Sequence, residues 1–312
     1  MARVIVLGAK GRFGRAAVVA CKEAGWDVTS VARAWPASVP DDHVSADAED
    51  ADALTAACAG HDVIVNAVHP PYTDWARAIP AITEAVITAA RATGATVMIP
   101  GNLYNYGVYL PARLREDTPW AGNTRKGAIR IRMESAYRDA AVPTIVLRGG
   151  DFLEGARTGN WFDSYIANKA GAGKLTYPGP RDVVHAWAYL PDLARAMVGL
   201  AERRDQFDTF EEFGFGGYAL TGDELVALVE KTMGRKMKVK RFPWFALQIM
   251  SLWSPLIREV REMRYLWLRP HAVDGTKLRA TLPEFQQTPV EVAIATSLAE
   301  HTDSHGARTP LM

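Results

Sequence analysis

Seven residues near the amino terminus, Gly8-Ala9-Lys10-Gly11-Arg12-Phe13-Gly14, have the spacing of a phosphate cradle. Glycine lets the backbone turn sharply and approach a pyrophosphate. A helix opening directly afterwards presents free N–H groups and the positive end of its dipole. The run follows a strand-like segment, 3–7, and precedes a helix-like one, 13–24, which is the context such a loop requires. Its pattern is G-x-x-G-x-x-G rather than G-x-G-x-x-G. The chemistry it suggests is dinucleotide binding, with Gly8, Lys10, Gly11, Arg12, Phe13 and Gly14 as contacts; an ordinary tight βα turn is the plainer reading.

The end of the second strand bears on which dinucleotide. An acidic residue there would grip a ribose 2′-hydroxyl and favour NAD. Here the strand ends Val31-Ala32-Arg33. The forked guanidinium of Arg33 suits a 2′-phosphate, and Lys10 and Arg12 add positive charge, so NADP is expected over NAD. Asp47 reads equally as an acceptor for the adenine amino group or as a surface carboxylate.

The elements that would hold these residues alternate. Strand patterns at 28–32, 62–68, 96–99 and 144–147 are separated by helix patterns at 52–59, 75–93 and 125–140. Such alternation implies an α/β fold, a doubly wound parallel sheet with helices on both faces. After Arg148 the chain becomes glycine-rich, then mixed α and β, with helices at 190–201 and 220–233 and an alternating strand at 236–240. The 312 residues carry 36 Lys plus Arg and 35 Asp plus Glu, a net charge of +1, and 48% are hydrophobic. A dedicated nucleic-acid binder and a disordered chain are both disfavoured by that balance. Cys21 and Cys58 match neither a disulfide framework nor a zinc spacing, and no metal-ligand or Ser/His/Asp constellation is readable. No targeting or spanning segment is evident. The longest uncharged apolar stretch, 242–257, is interrupted by Pro243 and Pro255, so a cytoplasmic protein with no integral membrane segment is expected.

These residues resemble the short-chain dehydrogenase/reductase superfamily in its extended and atypical branches, over most of the chain. The resemblance lies in the glycine loop, Asp47 with Asp52-Ala53-Leu54, and Asn66-Ala67-Val68 at the end of the fourth strand. It continues in Tyr106-Gly107, Leu147-Arg148-Gly149-Gly150, the 184–196 segment, and Asp274-Gly275-Thr276-Lys277-Leu278 before Pro283. It implies a Rossmann core of residues 1–150 plus about 183–203. A smaller, discontinuous α+β substrate domain would take 151–182 and 204–312. It also implies that Asn66, Ala67 and Val68 line the cofactor.

The departure is at the catalytic helix. The family uses Tyr-x-x-x-Lys with a glutamate four residues on; aligning that glutamate with Glu134 puts Arg130 at the lysine position and Lys126 at the tyrosine position. Lys-x-x-x-Arg resembles the isoflavone reductase and NmrA-like relatives, where the lysine is the implied catalytic residue. Lys126 and Arg130 share a helix face. A neighbouring arginine and burial would both disfavour the lysine's charge and suit it to exchange protons. Arg130 would hold the nicotinamide ribose, Asn102 would polarise the substrate oxygen, and Tyr104 or Tyr106 could substitute as the acid. The plainer reading of 125–138 is a solvated helix surface. A further feature is the basic run from Lys231 to Arg241 beside the Trp-rich 242–253. It reads as an edge strand with protective lysines and then a helix over the substrate pocket, or as a membrane-surface contact.

The function expected is an NADP-dependent reductase acting on a small carbonyl or conjugated molecule. A nucleotide-sugar epimerase or dehydratase, and a non-catalytic NAD(P)-binding sensor, stand as alternatives, and a homodimer is left open.

Overall fold

The computed structural model describes residues 2–35 and 42–301. The chain runs β1 (Arg3–Leu7), α1 (Arg12–Glu23), β2 (Asp27–Ala32), β3 (His43–Ser45), α2 (Ala51–Cys58), β4 (Val63–Asn66), α3 (Trp75–Thr93), β5 (Thr96–Gly101), β6 (Arg113–Leu114), α4 (Arg125–Asp139) and β7 (Thr144–Arg148). Then come β8 (Asp151–Leu153), β9 (Lys174–Tyr177), β10 (Val184–Tyr189), α5 (Leu190–Glu202), β11 (Phe210–Gly214), β12 (Tyr218–Thr221), α6 (Gly222–Met233) and β13 (Lys238–Arg241). The last elements are α7 (Trp244–Met250), α8 (Pro255–Glu262), α9 (Arg264–Leu268), β14 (Ala272–Val273), α10 (Thr276–Thr281) and α11 (Val290–Leu298).

Seven strands form one parallel sheet in the order β11-β7-β5-β4-β1-β2-β3. Successive side chains of a strand point to opposite faces, and β1 shows both faces covered. Val4 and Val6 join the core beneath α1 and α5, whereas Ile5 and Leu7 join the core beneath α2, α3 and α4. The order of strands reverses between β1 and β4, which opens a crevice at their carboxyl ends. A second layer is built from β8-β10-β12 and from the pairs β9–β13 and β6–β14.

One boundary differs from expectation. Residues 204–312 read as wholly part of the second region, yet β11 extends the main sheet by pairing with β7, and Leu278 of α10 packs in the main core. Conversely β10, within 183–203, pairs with β8 and β12, while α5 behind it packs on the main core. The chain crosses between layers more than once, and β11 sits at the edge of the main sheet with β7 as its one strand neighbour among the described residues. Its Phe-Glu-Glu-Phe sequence disguises a buried strand, since Glu211 and Glu212 are neutralised by Lys277 and Arg148.

Beneath the sheet's carboxyl edge lies a buried ion cluster. Glu134 of α4 accepts from Arg148 Nη2 at 2.8 Å, Arg130 Nη2 at 3.2 Å and Asn105 Nδ2 at 2.8 Å. Arg148 Nε also donates to Glu212 of β11 at 2.8 Å, and its Nη1 donates to the Asn102 carbonyl at 2.7 Å. Burial alone would raise the Glu134 carboxyl, but Arg148 and Arg130 outweigh it and hold the group below the ordinary glutamate value. The folded pKa therefore lies below the unfolded one. This contribution is complete above the unfolded carboxylate range and is lost as pH falls through the lower folded value. Glu134→Ala would strand the buried Arg130 guanidinium and leave Arg148 with Glu212 as its one carboxylate. It is expected to lower unfolding free energy by about 3–5 kcal/mol, read by urea titration at neutral pH. The wild-type advantage should shrink as the titration is repeated at increasingly acid pH.

Candidate functional site

The loop after β1 is a cradle made by glycine. Gly8 sits at φ +75°, and a Cβ there would meet the Ala67 carbonyl oxygen at 2.9 Å. A Cβ on Gly14 would lie 2.2 Å from the Gly8 carbonyl oxygen, so the first turn of α1 can fold against the loop only with glycine at that position. The N-cap of α1 is Gly11, which has no side chain to cap the helix, and the first turn holds no acidic residue. Its leading N–H groups and dipole end are thus open to an anion. Phe13 is buried in the core beneath α1, so only its backbone faces the loop. Across the crevice, Asn66 is fixed by Tyr137, whose hydroxyl accepts from Nδ2 at 3.1 Å; Asn66 Oδ1 accepts from Val68 N–H at 3.3 Å.

At the outer end, Lys10 Nζ donates to the Ala34 carbonyl at 3.3 Å and lies 5.9 Å from the Trp35 ring centre. Arg33 beside it is exposed and has no ion-pair partner among the described residues. Asp47 lies in the turn before α2 and accepts from Glu49 N–H at 3.1 Å. Arg12 does not join Lys10. It spans the crevice to Glu154 (3.1 Å) and to Thr158 (2.8 Å to Oγ1), two residues far along the chain. The expected convergence of Lys10, Arg12 and Arg33 on one phosphate is reduced to Lys10 and Arg33, because Arg12 has a carboxylate of its own.

At the inner end stands a ring-lined recess. His69, Tyr72, Trp75 and Tyr104 form a chain of ring contacts with centroids 5.0–6.1 Å apart. The hydroxyls of Tyr72 and Tyr104 meet at 2.9 Å. Burial, the neighbouring Tyr72 and the Asp151 carboxylate push the Tyr104 phenol well above its ordinary value. His69 is exposed on one side, and the protein around it, then Arg12 and Arg130, push its imidazole below the ordinary value. Asn102 Oδ1 accepts from Tyr104 N–H at 3.1 Å, and its amide nitrogen has no acceptor among the described residues.

The remaining expected residues divide. Lys126 is 1% exposed. Its Nζ bonds the Glu259 carboxylate, the Glu262 carboxylate at 2.7 Å and the Glu259 carbonyl at 3.0 Å, and lies 4.9 Å from the Tyr72 ring centre. The charges bonded to this lysine are acidic, so the arginine-neighbour argument made from helix spacing does not describe its surroundings. Arg130 donates to the Pro100 carbonyl at 3.1 Å and to Glu134, but its buried Nε has no partner. Tyr106 is turned into the interior, its ring 5.5 Å from the Arg148 guanidinium and its hydroxyl donating to Glu212 at 3.4 Å. Sequence reasoning missed His69, Tyr72, Asp151, Glu259 and Glu262. Of these only the His-Pro-Pro-Tyr run after the fourth strand carried a local signal. His185 stacks on Trp267 at 4.0 Å and pairs with Asp151 at 2.8 Å.

The residues fit a dinucleotide: a cradle that a Cβ would fill, an uncapped helix end, and an orphaned Arg130 Nε at the far side. A family model described as NAD(P)H-binding matches residues 8–159. No curated protein matches the chain. Among solved structures, the chain is similar to UDP-glucose-4-epimerase from Stenotrophomonas maltophila with bound NAD and formylated UDP-arabinopyranose, at 17% identity and TM-score 0.76, covering 97% of this chain and 98% of that one. A human epimerase family protein with NADPH aligns at 19% identity and TM-score 0.71, over 97% of this chain and 100% of that one. UDP-N-acetylglucosamine 4-epimerase from Bacillus cereus aligns at 14% and 0.74, over 96% and 99%. Gly14→Ala is expected to weaken dinucleotide binding by about a hundredfold or more, the effect of displacing backbone donors from an anion. Fluorescence titration with NADPH checks this; unchanged affinity would remove the cradle from the site.

Proposed function

We propose, from the premise that this chain has the extended short-chain dehydrogenase/reductase fold and carries an NAD(P)H-binding domain, that it is an NADP-dependent reductase. Its substrate would be a small, partly apolar carbonyl or conjugated compound. The single observation that carries the reading is the half-buried Tyr104–Tyr72 hydroxyl pair, set in an aromatic recess between the glycine cradle and Lys126.

When bound, the cofactor supplies the hydride. The Gly8–Gly14 loop and the α1 N-terminus would hold its pyrophosphate, Lys10 and Arg33 would hold its 2′-phosphate, and Arg130 would hold its inner ribose. Tyr104 donates its hydroxyl proton toward the substrate oxygen. A phenol whose pKa is raised keeps its proton through neutral pH, yet yields it readily to an alkoxide, which is the stronger base. Tyr72, hydrogen-bonded to it, relays the replacement proton. Asn102 Nδ2 orients the same oxygen. Lys126, with its Nζ 4.9 Å from the Tyr72 ring centre, packs against that ring and fixes its place beside Tyr104.

The epimerase and dehydratase alternative draws on the structural neighbours named above, two of which are 4-epimerases by name and the third an epimerase family protein. The lysine at 126, where those reactions would call for the family tyrosine, speaks for the reductase. The sensor reading draws on Lys126 being held by two carboxylates.

NADPH oxidation measured over aldehydes, ketones, enones and nucleotide-sugars separates the three. Net oxidation on a carbonyl supports the reductase. Sugar interconversion without net oxidation supports the epimerase, and tight binding without turnover supports the sensor. Tyr104→Phe is expected to lower kcat about a hundredfold with little change in NADPH affinity, the ordinary worth of a positioned acid; full activity would reject this assignment. Lys126→Gln, which keeps a donor beside Glu259 and Glu262, should cost less than Tyr104→Phe. For cofactor choice, Arg33→Ala should raise the NADPH Kd about tenfold or more and leave NADH unchanged. Equal NADPH affinity would overturn the NADP preference.

A further inference from the structure

The α7–α8 hairpin carries the largest run of outward apolar side chains among the described residues. Phe245 is 76% exposed, Leu252 71% and Trp253 77%, and Ile249 and Met250 are also exposed. Phe245 and Ile249 are one helical turn apart on α7, and Leu252 and Trp253 continue the exposed apolar run in the turn that leads to α8. The opposite side is anchored: Trp244 Nε1 donates to the Pro178 carbonyl at 2.6 Å, Arg261 Nη1 donates to the buried Ser251 Oγ at 2.6 Å, and Leu247 is half-buried. The helix is thus mounted with its apolar side outward. A patch of large apolar groups held against water in this way marks an interaction surface.

Charge decides what covers it. From residue 231 to 258 the sequence has seven Lys or Arg and no Asp or Glu. Lys238, Lys240 and Arg241 on β13, and Arg258 on α8, are exposed with no ion-pair partner among the described residues. The next carboxylates, Glu259 and Glu262, turn inward onto Arg125 and Lys126. A second copy in a two-fold contact would set this patch, with its cations, against itself. Apolar and indole side chains beside unneutralised cations complement instead an anionic lipid surface, with the rings at headgroup depth and the cations over the phosphates.

We propose that the α7–α8 hairpin, with β13, docks this protein on the surface of membranes rich in anionic lipid. The contact is peripheral, since no helix among the described residues is long and apolar enough to cross a bilayer. It stands independently of the catalytic reading.

Co-sedimentation of the full chain with phosphatidylcholine vesicles, with and without phosphatidylglycerol, tests it. Binding is expected only with phosphatidylglycerol and should fall as sodium chloride rises. Phe245→Ser with Trp253→Ser, and separately Lys240→Glu with Arg241→Glu, should each reduce the bound fraction about tenfold. Both double variants should keep the wild-type melting temperature and NADPH affinity, which separates lost docking from lost folding. No binding to phosphatidylglycerol vesicles, or full binding by the charge-reversed variant, overturns the proposal. So does a sedimentation-velocity dimer that Phe245→Ser dissolves in a protein indifferent to vesicles, which would assign the face to a second copy.

Discussion

The paired charge of Glu134 and Arg148 is the constraint on which the sheet's carboxyl edge depends. Neither group could be buried alone, because a lone charge in the interior costs several kcal/mol. Together with Arg130, Asn105 and Glu212 they tie α4, the loop after β5, β7 and β11 into one unit. Arg148 also holds the Asn102 carbonyl, and Asn102 in turn caps the turn that presents Tyr104. The proposed acid is therefore positioned by a charge cluster it does not touch. Replacement of such a cluster by apolar groups is often tolerated for stability. Here the forked geometry of Arg148 aims a loop, which a hydrophobic side chain could not do.

Much of this was legible in the sequence, for identifiable reasons. β1, β4, β5 and β7 announce themselves because strands covered on both faces must be apolar throughout. The helices α1 and α3 end at glycines or just before them, where expected. The glycine loop was legible because its purpose requires glycine at fixed positions. α4 was half legible: its extent is plain, but its buried face is charged, with Lys126, Arg130 and Glu134 in successive turns. A pattern rule that equates charge with solvent reads that face backwards. What could not be read were partners set by tertiary approach. Arg12 finds Glu154, and Lys126 finds Glu259 and Glu262, across long separations that leave no local trace.

Those long-range pairs also shape the cleft. Arg12 crosses it at one place and Lys126 closes on α8 at another, so both cationic side chains join the main sheet's layer to the second layer. The dinucleotide cradle, by contrast, is assembled from local chain alone, the β1–α1 turn against the end of β4. The cradle is thus set by backbone shape, and the contacts across the cleft by ion pairs between residues far apart in the chain.

The position of β11 has a consequence for how the chain acquires its shape. The NAD(P)H-binding match ends at residue 159, but the sheet it describes is completed only at Gly214. A piece cut at the end of that match would leave β7 as an open edge and Arg148 without Glu212. During synthesis the amino-terminal portion must wait, its guanidinium half-compensated, while more than fifty further residues emerge. Such late, non-local pairing slows folding and exposes an unpaired strand in the interval. The recognisable nucleotide-binding segment accordingly stops short of the sheet that it begins.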